Sequence, residues 1–163
     1  MSLNGSQGVN STRSFDSSVV PTLPAKVLDI ASDKRGKWMF VKATTTTTQY
    51  QAGIVDKDGG FTPITTTNAS TTPKGVGIAQ CAAATNEYLW VFIGEGGGTG
   101  SGVKVKVAAS YVAGAKLYTT ATAGVLDDAS TAGVISGVVG LTTDSGSGSN
   151  VEVQAFGSIY SNL

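Results

Sequence analysis

Histidine is absent from the 163 residues, and cysteine occurs once, at Cys81. Without histidine no Ser-His-Asp constellation can be assembled. With one cysteine no disulfide can form within the chain, and Cys81, between Gln80 and Ala82, reads as a small buried hydrophobe. Charge is scarce too: Asp, Glu, Lys and Arg make up 13% of the chain, against about 25% in an average domain. The 11 basic and 11 acidic residues cancel, so no field draws nucleic acid or an anionic membrane toward the protein, and neither is expected as a partner. No stretch reaches the roughly 18 apolar residues of a membrane span. Residues 1–14 have no basic-then-apolar run, which argues against a secretory signal. A soluble chain made in the cytoplasm is the expectation.

What is abundant is small and neutral. The 22 glycines are close to twice the usual share of about 7%, and Thr, Ser and Ala fill much of the remainder. Such a surface meets another surface at little desolvation cost. No window of ten residues carries a helical period. Many short strands at near-regular spacing predict an all-β fold, a compact antiparallel β-barrel or β-sandwich. The length suits one domain with an appendage. Residues 1–24 read as an extended N-terminal arm and 25–163 as the barrel or sandwich domain.

The organising stretch is Gly75 to Gly94, a predicted hairpin with Ala84-Thr85-Asn86 at its turn. In its second arm Tyr88, Trp90 and Phe92 share one face and Leu89, Val91 and Ile93 the other, because strand side chains alternate. An antiparallel strand normally turns one polar face to water. Apolar residues on both sides therefore call for two coverings, the second being another part of the chain or another copy. In the arm, Val19, Val20 and Leu23 are apolar without a local partner. These three, with Tyr88, Trp90 and Phe92, are the candidate interface residues toward a partner or a neighbouring subunit.

The remaining segments read as strands and turns. Val27 to Ile30, Trp38 to Val41 and Tyr50 to Ile54 are strand candidates, and Ser32 to Gly36 is an exposed loop. The five threonines Thr44 to Thr48 suit a strand or a loop. Pro63 marks an edge or connector. Val103, Val105 and Val107 alternate with Lys104 and Lys106, giving one wet face. Lys116 to Thr120, Gly124 to Asp128, Val134 to Leu141 and Val151 to Phe156 complete the set.

No motif carries chemistry. Gly94 to Gly102 leads into a strand rather than through Gly-Lys-Ser/Thr into a helix, so it is no phosphate loop. Asp127 and Asp128 point to opposite faces, and the region around Asp144 lacks the alternate oxygen ligands of a calcium loop. No metal or cofactor is expected, and no enzyme activity. A Ser-Lys hydrolase using Lys104, Lys106 or Lys116 is formally possible. Trp38, Tyr88, Trp90 and Phe92 could instead form a sugar platform, though their apolar context favours core or interface.

A family resemblance runs through Gly75-Val76-Gly77-Ile78-Ala79-Gln80, Glu87-Tyr88 and Trp90-Val91, then Val103-Lys104-Val105. It continues through Ala115 to Ala121, Ala123 to Asp128 and Gly137-Val138-Val139. These residues resemble a group of small tailed-bacteriophage virion proteins read as head decoration, or cement, proteins. The resemblance covers Gly75 to Phe156; the first seventy or so residues match no family. It implies a barrel or sandwich, often a homotrimer, on the virion surface where subunits of the major capsid protein meet. The alternatives are a carbohydrate-binding or adhesive module of a tail or fibre, a head-tail connector, or a tail tube subunit.

Overall fold

Short runs of β-branched and aromatic residues, each ended by glycine or by a Thr/Ser-rich turn, form strands and no helix among the described residues. The computed structural model describes Val9, residues 11–16, Ser18, and residues 26–69, 74–129, 133–146 and 148–162. The first six strands are β1 (Ile30–Asp33), β2 (Gly36–Ala43), β3 (Ala52–Val55), β4 (Gly60–Pro63), β5 (Lys74–Ala79) and β6 (Tyr88–Gly97). After them come β7 (Lys104–Lys106), β8 (Leu117–Thr119), β9 (Leu126–Asp127), β10 (Val134–Gly140) and β11 (Asn150–Asn162). The fold is all-β, as the strand pattern requires.

Six of the strands close a barrel in the order β2-β4-β3-β5-β11-β6 and back to β2. The β2–β4 pair is parallel and the other five are antiparallel. The expected pairing of β5 with β6 is present at Ile78↔Phe92 and Ala79↔Val91. At the other end of β5 the partner is instead β11, through Tyr160↔Gly75 and Ser161↔Lys74.

The last strand is therefore the seam of the molecule. One edge of β11 carries β10. Its other edge meets β7, then β6, then β5. From β10 the ladder continues to β8 and β9, and a parallel bridge between Val107 and Leu126 leads back beside β7.

Two apolar clusters lie on opposite faces of the barrel strands. Register places Met39, Val41, Ala43, Phe61, Ala79, Leu89 and Val91 on one continuous face. Lys42, Gly60 and Thr62, on the opposite face, are partly exposed. A barrel of so few strands is narrow, and glycine and alanine make room in it. A Cβ on Gly53 would run into the Phe61 ring, and one on Gly77 would come within 2.6 Å of a Val91 methyl. The second face, with Trp38, Phe40, Ile54, Val76, Ile78, Trp90 and Phe92, joins Val105, Tyr111, Leu117, Leu126 and Val153 of the C-terminal half in one larger core.

Local expectations are corrected in three places. The Val27–Ile30 strand begins only at Ile30, because Leu28 turns the chain at a φ of 70°. Ser32 to Gly36 is a hairpin rather than an exposed loop: Asp33 pairs with Gly36 across Lys34 and Arg35, and the Asp33 and Arg35 side chains are only about a quarter exposed. Pro63 closes β4, which is paired on both edges, so β4 is neither edge nor connector.

Candidate functional site

The aromatic strip predicted on β6 is built with help from β2. Cross-strand register sets Trp38 opposite Phe92, Phe40 opposite Trp90, and Lys42 opposite Tyr88. Trp38 meets Phe92 edge-on at 5.5 Å, Phe40 meets Trp90 at 5.2 Å, and Tyr88 stacks on Phe40 at 5.9 Å. Rings at these separations prefer edge-to-face or offset contacts.

The cover over this strip comes from the N-terminal segment. Phe15 forms an antiparallel bridge with Tyr88 and lies edge-on to Phe40 at 5.9 Å. Val9 packs on the same core, and Ser11 is buried. Arg35 Nη1 donates to Ser11 Oγ at 2.8 Å, and Ser14 Oγ donates to Glu87 Oε2 at 2.6 Å. The Arg13 guanidinium sits over the Phe15 ring at 4.8 Å.

Of the two coverings expected for the outer face of β6, another part of the chain or another copy, it is the chain itself that packs on Trp90 and Phe92. Trp90 is 4% exposed and Phe92 0%, both within the chain's own core, and Tyr88 is half-buried. Leu89 and Val91 are buried in the smaller cluster, while Ile93 stays partly exposed. The chain supplies both coverings: Leu89 and Val91 fall in the smaller cluster, and Trp90 and Phe92 in the larger core that the N-terminal segment and the C-terminal half complete. Trp38, Tyr88, Trp90 and Phe92 therefore form no open sugar platform. Val19, Val20 and Leu23 lie outside the described residues. Of the predicted arm, residues 11–16 dock on the domain itself.

Apolar surface is found elsewhere. Phe156 is 77% exposed and Tyr160 40%, both on β11, and Ile30, Val112 and Leu28 are exposed as well. Phe156 occupies an irregular stretch of β11, where the ladder slips between Ala155 and Ser158. The backbone there is tightly held: a Cβ on Gly94 would collide with the Gly157 carbonyl, and one on Gly137 with the Ser158 carbonyl. From Val153 to Asn162, and along all of β10, no residue is charged. The sequence signal was available. Phe156 stands in the outward parity of the last strand, after Glu152 and Gln154, where a polar residue belongs.

The polar groups are structural in their contacts. Trp38 Nε1 donates to Asp33 Oδ1 at 2.9 Å and Arg35 Nε donates to Asp33 Oδ2 at 2.8 Å. Partial burial opposes ionisation of Asp33, yet the hydrogen bonds from Arg35 and Trp38 outweigh it and hold the carboxyl below its ordinary range. Burial, and secondarily the charge of Glu87, push the Cys81 thiol up to about 11. Lys106 Nζ reaches Thr48 Oγ1 at 3.5 Å. Asp128 accepts from the Val112 N–H, and Asp144 accepts from the Gly148 N–H and Ser149 Oγ, so both tie loops. The N–H groups of Gly100 and Gly102 point at the Glu152 carboxylate. Among the described residues no His/Cys/Asp/Glu group is arranged to hold a metal. No protein-family model matches the chain, and no curated protein does.

Proposed function

We propose that the protein is a structural virion subunit that binds the outer surface of a phage capsid and braces the lattice of its major capsid protein. The reading rests on the resemblance of Gly75 to Phe156 to head decoration proteins and on one structural observation. That observation is Phe156, an aromatic ring held out from a charge-free stretch of β11 that pairs with the charge-free β10. Aromatic residues are enriched, and charged residues depleted, at the core of protein–protein interfaces.

Burying one Phe ring contributes about 1.5–3 kcal/mol, too little for stable attachment by one copy. Several copies engaged at once, as in a homotrimer, turn such weak contacts into avidity. The surrounding Ser, Thr and Gly surface costs little to desolvate, so contact can spread around the ring. The contact surface thus shifts from the β6 aromatics, which the chain keeps for itself, to the outer side of β11.

Co-sedimentation with empty phage heads tests this. Wild-type protein is expected to pellet with the heads in saturable amounts, and the Phe156→Ser variant to bind at least tenfold more weakly. Wild-type protein that stays in the supernatant at every concentration refutes the reading.

A further inference from the structure

We propose that the Ser11–Asp16 segment is exchangeable between copies, so that in an assembly Phe15 of one copy fills the aromatic groove of the next. This deepens the bracing role proposed above, since exchanged segments lace neighbouring subunits together.

The contacts that seat the segment are self-contained. Phe15 and Tyr88 trade both backbone hydrogen bonds, at 2.6 and 2.8 Å. Phe15 meets Phe40, Ser14 meets Glu87, and Ser11 meets Arg35. The groups that receive Ser11, Ser14 and Phe15 here (Arg35, Phe40, Glu87 and Tyr88) lie in the β1–β2 turn, on β2 and at the start of β6, and these contacts do not depend on which chain provides the insert. A groove that accepts this segment from its own chain offers the same bonds to the identical segment of a second copy. Exchange of an identical element is a low-cost route to association.

The receiving groove needs an occupant. Without Phe15, Phe40 loses the ring that lies edge-on to it and Tyr88 loses both of its backbone bonds to the segment. Reach is available as well. Nine residues, 17–25, separate the segment from Lys26, and ten extended steps span roughly 33–36 Å. Whether the insert comes from the same chain or a neighbour then depends on effective concentration. Packing many copies on one lattice raises the neighbour's share.

The test uses full-length chains and no capsids, so exchange and capsid binding can fail separately. In a Cys81→Ala background, one chain carries Ser14→Cys and a second, differently tagged, carries Glu87→Cys. The two are unfolded together, refolded at high concentration and treated with a short bis-maleimide crosslinker. Exchange predicts a crosslinked dimer carrying both tags, which disappears when Phe15→Ala is added to the Ser14→Cys chain. The proposal is overturned if only a double Ser14→Cys/Glu87→Cys chain crosslinks, internally, while the mixed single variants yield no tagged dimer. Light scattering on co-refolded wild-type protein gives a reading free of substitutions. A dimer or larger species lost on Phe15→Ala supports exchange, and a strict monomer at every concentration refutes it.

Discussion

The Phe15 amide donates to the Tyr88 carbonyl at 2.6 Å and the Tyr88 amide donates back to Phe15 at 2.8 Å. These bonds join residues far apart in sequence and seat an N-terminal ring on the aromatic face of the barrel. They make residues 11–16 part of the folded domain rather than a tail appended to it.

Phe15→Ala is therefore expected to cost stability. Buried Phe→Ala changes cost about 3–5 kcal/mol, and Phe15 sits at the rim of the core under Arg13, so the lower end, about 3 kcal/mol, is expected. Urea unfolding measures it. A loss under about 1 kcal/mol would show that the segment is not held as described.

The space around two glycines is unequal. Gly53→Ala drives a methyl into the Phe61 ring, whereas Gly75→Ala meets nothing within 4 Å. Overpacking costs about 1–3 kcal/mol, while an open surface change stays within about 0.5 kcal/mol. Comparing the two thermal midpoints decides the matter, and equal midpoints would contradict the register of β3 against β4.

Acid should act through Asp33. Its carboxyl is held below the ordinary value by Arg35 and Trp38, so the unfolded chain takes up its proton first as pH falls. The stabilisation is full above the unfolded pKa of about 3.9 and is lost as pH drops through the lower folded value. Unfolding midpoints of the wild type should decline across that window more steeply than those of Asp33→Asn. Parallel curves would remove Asp33 from the account.

Cys81 should be inert in the native state. With the thiol pushed up to about 11, its thiolate fraction at pH 8 is about one in a thousand, against about a quarter for an unperturbed thiol. Alkylation by iodoacetamide should accelerate on the order of 10²-fold on unfolding in urea. Similar rates in both states would mean that the Ala79–Ala83 region opens freely.

Phe156 separates binding from folding. Phe156→Ser removes an exposed ring, so its unfolding free energy should stay within about 0.5 kcal/mol of wild type even where head binding is lost. A large stability loss would show that the ring is packed.

Strand alternation and the shortage of helical periods were enough to read an all-β chain, because period-2 patterning is local and survives without knowledge of neighbours. The inward valines of β7 and the apolar strip of β6 were legible for the same reason. What covers that strip was not. Whether Trp90 and Phe92 face a partner or a core depends on Phe15, Leu117 and Val153, which approach from both ends of the chain, and no local pattern encodes that meeting. Closure of the barrel, with the end of β11 beside β5, was equally hidden, since it rests on long-range hydrogen bonds and on glycines that let backbones touch. Composition alone decided that this surface is neutral and small-grained; only the folded chain decided which aromatic rings it keeps inside and that Phe156 is held out to water.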